Sequence, residues 1–218
     1  AGLLYRRNSG RGVYLDLAQV ESANWSLSPW LLDYEVGGVI RLRDGNRHPH
    51  AAPHGAFRCA PEGDIGDRWV AIACWTDAQW ATLAHLIGVD AQPFARLEQR
   101  KAREDELEAL VGAFTTVRAR AEVASLLQDA GIEAVPVEDF GDLHDDPQLA
   151  RREHFERHTH AFLGSGLYER NGFRMSDAPS GYDQAGPTLG QDNDWVVRDL
   201  LGCSDAEVRA LKASGALE

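Results

Sequence analysis

Apolar positions recur at helical spacing along most of the chain, interrupted by short stretches with the two-residue period of strands. "AGLLYRRNSGRG" (1–12) reads as the last turns of an amphipathic helix stopped at Ser9-Gly10. "GVYLDLA" (12–18) alternates apolar and polar residues and predicts a strand. "QVESANWSLSPWLLDY" (19–34) has helical spacing, with Val20, Trp25, Leu31 and Leu32 as candidate buried positions and Pro29 as a kink or a division. Residues 37–53 predict a loop. "HGAFRCA" (54–60) and "DRWVAIACW" (67–75) predict two strands, and "PEGDIG" between them supplies glycines and acids for a hairpin turn. Thr76-Asp77 caps a helix, "AQWATLAHLIG", that ends at Gly88. A charged helical run follows over 93–114, broken near Ala102. Another helix covers 117–128 and stops at Gly131, before a short strand, "IEAVPV" (132–137).

Residues 138–155 are polar and helical, with a fresh start at Pro147. "THAFLGSGLYERNGFRMS" (159–176) predicts two short strands about Gly164–Gly166. A Pro/Gly-rich linker, "DAPSGYDQAGPTLG" (177–190), leads to two capped helices. Asp192 or Asn193 caps the first, and Ser204 caps the second with capping-box spacing to Glu207. The order is mixed α and β, with no repeating strand–helix unit, no internal repeat, no glycine-rich dinucleotide fingerprint and no phosphate-binding loop motif.

Composition narrows the class. A 44% hydrophobic chain of 218 residues suits one large or two small globular domains. The net charge of −12 argues against nucleic acid as a partner, since a polyanion needs a basic face. The most basic stretches, "RLEQRKARE" and "ARREH", interleave acids and read as solvated helix faces. No apolar run approaches the ~20 residues that span a bilayer, so no membrane partner is expected. Cys59, Cys74 and Cys203 are odd in number and widely spaced, which suits free thiols in a reducing, cytoplasmic setting; a Cys59–Cys74 pair on neighbouring strands is the alternative. The chain opens in the last turns of a helix without an initiator Met, so one piece of a larger polypeptide is expected.

The candidate chemistry gathers in "GNRHPHAAPHGAF" (45–57), which holds His48, His50 and His54. Three imidazoles are a zinc donor set. Yet Pro49 and Pro53 favour an irregular loop, and no carboxylate or thiol recurs at ligand spacing. A loop with polar ligand contacts and an exposed, roleless turn are the other readings, and the expected metal is none. His158 and His160 would share one face of a strand, turned to water. No serine sits in a glycine elbow for Ser-His-Asp catalysis. Cys59 and Cys74 fall inside strands as small core residues, and the six tryptophans anchor a core or an interface. The residues by themselves specify an α/β domain with one unusual loop, and no reaction.

Several segments in order carry a resemblance. "RRNSGRGVYLDLAQVES", "GNRHPHAAPHGAFRC", "DRWVAIAC", "AGIEAVPVEDFGDLHDDPQLARREHF", "GFRMSDAP" and "PTLGQDNDWVVRDLLGCSDAEVRAL" resemble successive segments of the family III CoA-transferases, the CaiB/BaiF group. The resemblance implies the C-terminal portion of that fold. Residues 1–44 would be a linker strand and helix belonging to a Rossmann-like large domain, 45–180 a small α/β domain, and 181–218 a linker and helices returning to the large domain. It implies an acyl-CoA:carboxylate CoA-transferase that takes an acyl-CoA thioester and a small carboxylic acid, with no permanently bound cofactor. In relatives an aspartate nucleophile carries CoA as a thioester. That residue would lie upstream of Ala1, leaving the catalytic residue in this chain unknown; Asp16 aligns with a structural strand. The histidine loop would cover the active site, with Asn46, Arg47, His48 and His50 facing substrate. The related α-methylacyl-CoA racemases use a glutamate where this chain has Trp75-Thr76-Asp77. Relatives form interlaced dimers, so the partner is a second copy or an N-terminal half. The chain alone is then expected to be inactive. A racemase-like enzyme and a non-catalytic, partner-binding domain are the alternatives.

Overall fold

A computed structural model describes residues 1–178 and 181–217. Pro179 and Ser180 of the expected linker, and the final Glu218, lie outside the described residues. The chain divides into two units, Ala1–Pro136 and Val137–Glu218.

The first unit begins with helix α1 (Gly2–Ser9), ended as expected by Gly10, whose φ of 70° is the left-handed cap a side chain resists. The predicted strand over 12–18 does not form. The segment is irregular, because alternation makes a strand only where another strand accepts its hydrogen bonds. Helices α2 (Gln19–Ser26) and α3 (Ser28–Gly37) meet where Pro29 opens a new helix, so the proline divides the predicted helix. Neither helix holds a buried residue. Val20, Trp25, Leu31 and Leu32, predicted as core, are exposed, since nothing in the unit covers their apolar side.

The core starts at the hairpin. Strands β1 (His54–Arg58) and β2 (Trp69–Ala73) pair antiparallel, with His54 opposite Ala73 and Arg58 opposite Trp69. Strand β3 (Glu133–Val137) completes a sheet of order β1-β2-β3. Helices α4 (Asp77–Ile87), α5 (Leu97–Ala102), α6 (Glu104–Thr115) and α7 (Arg120–Asp129), with a 3-10 turn at Gln92–Phe94, supply this unit's further helices. Phe57, Val70, Ile72, Trp80, Leu83, Leu107, Val111, Val123 and Leu127 make one cluster. Each such side chain contributes about 1.5–3 kcal/mol by leaving water. The expected cap at Thr76 is a full capping box with Gln79, and the helix closes on left-handed Gly88. The break predicted near Ala102 falls at Arg103.

Cys59 and Cys74 are free, buried core thiols as expected, although each lies one residue beyond its strand instead of inside it. A bridge between them is excluded by register. The Cys59 N–H bonds Arg68 and the Cys74 N–H bonds Pro53, so they sit beyond opposite ends of the ladder. That separation is roughly 20 Å, far outside disulfide reach. Burial pushes the Cys74 thiol up to about 12.

In the second unit, α8 (Phe140–Asp145) and α9 (Pro147–Arg151) carry aspartate caps at Asp139 and Asp146. The helix expected to reach Phe155 stops at Arg151, and Glu153 takes a positive φ of 51°. The predicted strands are a hairpin of β4 (Phe155–His160) and β5 (Gly164–Glu169), turned at left-handed Gly164. His158 and His160 share a face, but they are half-buried instead of turned to water. The reason for His158 is local: its Nε2 bonds Glu156 at 3.2 Å, and Glu156 also accepts the Tyr182 N–H and Arg170 Nε. A six-residue π-helical segment (Trp195–Leu200) and α10 (Asp205–Ala213) close the chain, the latter with the Ser204–Glu207 capping box.

Candidate functional site

The loop that joins α3 to β1 is a turn whose two ends are held differently. At its near end Gly45, with φ of 61°, allows the turn in which the Arg47 N–H bonds the Asp44 carbonyl at 3.1 Å. At its far end Ala51, Ala52 and Pro53 are buried. The Ala52 N–H donates to the Cys74 carbonyl at 3.1 Å, and the Ala52 carbonyl accepts from Arg100 Nε at 2.7 Å. Arg100 is fully buried. Its Nη1 donates to the carbonyls of Phe94 (3.1 Å) and Ala95 (3.3 Å), and its Nη2 lies 3.0 Å from Asp77 Oδ1 in an ion pair. The expectation that the whole "RLEQRKARE" face is solvated therefore fails at Arg100. A guanidinium can be buried where carbonyls and a carboxylate surround it.

Two further cations tie the loop to α6. Arg47 makes a bidentate pair with Glu108, Nε to Oε1 at 2.8 Å and Nη2 to Oε2 at 2.7 Å, and its Nη2 also reaches Asp105. Glu104 stands 3.9 Å away. Hydrogen bonds donated to Glu108 and Asp105 hold the guanidinium charged well beyond its ordinary range. Lys101 Nζ bonds both oxygens of Glu104 at 2.7 Å and donates to the His48 carbonyl at 3.2 Å.

The imidazoles gather around Trp75. The His48 ring centre lies 4.9 Å from that of Trp75, 5.3 Å from His54 and 5.8 Å from His50. Trp75 itself is fixed, its Nε1–H donating to Glu133 at 2.7 Å and its backbone N–H to Gln79 at 2.8 Å. His48 Nδ1 accepts the His50 N–H at 3.2 Å, and His54 Nδ1 bonds the Asn46 carbonyl. Burial, then the neighbouring His54 and His50 and the cations Lys101 and Arg41, hold the His48 imidazole below its ordinary pKa. Among the described residues no group of three or more histidine, cysteine, aspartate or glutamate side chains is arranged for a metal ion.

Asn46 and Arg47 line a cleft of about 510 Å3 with Arg43, His54, Phe57 and Glu108. A second cleft, of about 670 Å3, lies along Trp30, Ile40, Leu42 and Pro49 and shares Arg43 and Arg47 with the first. His48 and His50 line neither cleft; His48 sits half-buried against Trp75, and His50 is exposed. The sequence offers His54 only as one of three candidate zinc imidazoles and not as a substrate-loop residue, and it gives no sign of the parts taken by Trp75, Arg100 and Glu108. Arg100 and Glu108 lie 48 and 61 residues from the loop groups they hold, a spacing that no local pattern carries. Asp77, in the stretch where the racemases place a glutamate, is paired with Arg100 and Arg96.

Comparison with known proteins adds the family. The sequence model of CoA-transferase family III matches residues 1–193. A probable CoA-transferase of Mycobacterium tuberculosis is 29% identical over 97% of this chain and 26% of its own length. The succinyl-CoA–L-malate CoA-transferase beta subunit of Chloroflexus aurantiacus is 27% identical over 97% of this chain and 52% of its own. The crystal structure of a CaiB/BaiF family protein from Brucella suis superposes with a TM-score of 0.75 at 27% identity, covering 91% of this chain and 50% of that one. The chain thus spans about half the length, or less, of these relatives.

Proposed function

Because the chain belongs to CoA-transferase family III, we propose that it is the C-terminal portion of an acyl-CoA:carboxylate CoA-transferase. The observation that carries this reading is the family match over 1–193, seconded by relatives whose names specify CoA transfer from succinyl-CoA to dicarboxylates. In this reading an aspartate on polypeptide outside these residues attacks the thioester carbonyl and expels CoA thiolate, leaving a mixed anhydride. The thiolate then attacks the aspartyl carbonyl, releasing the donor acid and leaving an aspartyl-CoA thioester. The acceptor carboxylate reverses both steps and departs as the new CoA thioester.

The chain's own contribution is the loop of Asn46, Arg47, His48 and His50, facing substrate beside the clefts. Amide and imidazole donors there stabilise the oxyanions that form at each attack. Arg47, engaged by α6, sets the loop's place. CoA thioester enters as substrate; no permanent cofactor and no metal is assigned. Residues 45–180 serve as the small domain, with 1–44 and 181–218 packing on a large domain, in a homodimer or with an N-terminal half, in the cytoplasm. Support for the packing comes from α1–α3, which bury none of their residues.

The test compares the 218-residue chain with the same chain joined to the N-terminal half of a relative, assaying CoA transfer from succinyl-CoA to a panel of dicarboxylic acids. Transfer and a hydroxylamine-trapped aspartyl intermediate are expected only for the joined protein. Turnover by the chain alone, abolished by replacing one aspartate within it, would overturn the proposal. Exchange of the proton beside the thioester without transfer would favour a racemase-like enzyme, and neither activity in the joined protein a non-catalytic, partner-binding domain.

A further inference from the structure

His54 and Trp75 stand on fixed parts of the fold, whereas Asn46 to His50 form a turn. His54 is the first residue of β1, opposite Ala73, and Trp75 follows β2 directly before the cap of α4. Trp75 is fixed twice, by Glu133 of β3 and by Gln79 of α4. Both rings lie against the turn, His54 5.6 Å from Trp75 and each close to His48.

The hydrogen bonds give the protons definite places. A carbonyl oxygen has no proton to offer, so His54 Nδ1 carries the hydrogen that meets the Asn46 carbonyl. The bond at His48 runs the other way. A backbone N–H donates to its Nδ1, which must therefore hold a lone pair, and neutral His48 keeps its one proton on Nε2. Protonating that Nδ1 would set N–H against N–H. The two imidazoles thus use Nδ1 in opposite senses, His54 as donor and His48 as acceptor, and each closes a different part of the same turn.

We propose that His54 is a positioning residue of the transferase site, its Nδ1–H on the Asn46 carbonyl holding the 46–50 turn so that His48 presents a neutral Nε2–H donor. Trp75 is the wall against which both rings are kept. The proposal rests on the reading of this loop as the substrate loop. His54 acts on the reaction through Asn46 and His48, and the substrate-facing set read from the sequence does not include it. A neutral donor whose orientation is fixed in advance costs no reorganisation when negative charge appears, which is where such donors are most effective.

Isosteric replacement separates this role from simple packing. In His54→Asn the amide N–H2 stands near the place of Nδ1–H; in His54→Gln it stands near Nε2; His54→Ala removes both. Backbone hydrogen exchange over 46–50 and the His48 ring nitrogen shifts are measured in the 218-residue chain, and kcat and KM in the protein joined to an N-terminal half. Expected are about tenfold faster exchange at the His50 N–H and about tenfold lower kcat in His54→Ala and His54→Gln, with KM for acyl-CoA little changed and substantial recovery in His54→Asn. Exchange and His48 shifts unchanged in all three variants would overturn the proposal and leave the substrate-loop reading standing. Faster exchange with undiminished transfer would overturn the substrate-loop reading itself, and with it any catalytic importance of His54's hold on the turn.

Discussion

Arg47 shows how a residue type can mislead about its task. In the sequence it stands in a loop where a cation invites an anionic substrate. In the fold its guanidinium is spent on Glu108 and Asp105, with Glu104 nearby, so it reads as a strap between loop and α6. Glu108→Ala is then expected to destabilise the chain by only about 1 kcal/mol, because both partners remain partly wet. It should also raise hydrogen exchange at residues 44–48, measured by mass spectrometry; no local change at the loop would show that the ion pair carries no positional role. His48 gives a pH prediction. Its folded pKa is lowered below the unfolded value of ~6.5, so the folded chain binds fewer protons there. Its contribution is complete above that value and is lost as pH falls through the folded pKa. The charged and titratable groups that act on the ring are His54, His50, Lys101 and Arg41, of which Lys101 is itself paired with Glu104. Denaturant midpoints at pH 7.5 and about 5.5 are expected to converge in His48→Asn relative to the parent. An unchanged pH dependence would count against a neutral His48.

At the scale of elements, what the sequence made legible was governed by neighbours close along the chain. The capping boxes at Thr76 and Ser204, the left-handed stops at Gly10 and Gly88, the division at Pro29 and the β1–β2 hairpin all follow from residues a few positions apart. What failed needed a distant partner. The alternating run 12–18 has no strand beside it among the described residues, and Arg100 reads as solvated because Ala52, Phe94 and Asp77 are brought to it only by the fold. Part of the candidate site shares that limit: the motif marked the loop, but not the α6 carboxylates or Trp75 that hold it. Arg100 joins the loop's buried end, the 3-10 turn and the start of α4, so its removal should reach all three elements. Arg100→Met, similar in length but without charge or donors, leaves three carbonyls without their donors. It is expected to cost about 3 kcal/mol, a fall in thermal midpoint on the order of 10 °C. Arg100→Lys should recover only part of this, since one ammonium cannot replace a planar fork. A midpoint within a degree or two of the parent for Arg100→Met, by differential scanning calorimetry, would mean that the loop is anchored by the burial of Ala51 and Ala52 alone.

For the molecule as a whole, the question is what covers residues 1–42. Helical periodicity marked Val20, Trp25, Leu31 and Leu32 as buried, and the chemistry of those side chains agrees, yet Trp25 is 82% exposed and Leu31 and Leu32 are more than half exposed. Leu3, Tyr14, Val36 and Leu42 extend the same apolar exposure along the segment. Such a pattern is written by a core, and the core that would use it is not formed by the described residues. The chain spans about half the length of the relatives it matches, and a large domain on the remaining half is the cover that the proposed function requires. Exposed apolar side chains in such number along one segment associate in water. The 218-residue chain is therefore expected to sediment as an oligomer at tens of micromolar, and to become a defined species when joined to an N-terminal half. Trp25→Ser with Leu32→Ser should weaken self-association without lowering the thermal midpoint, since neither side chain contributes to the core in the isolated chain. A compact monomer at that concentration, by analytical ultracentrifugation, would mean that residues 1–42 fold back over their own apolar side, and the assignment of this segment to a second domain would fall with it.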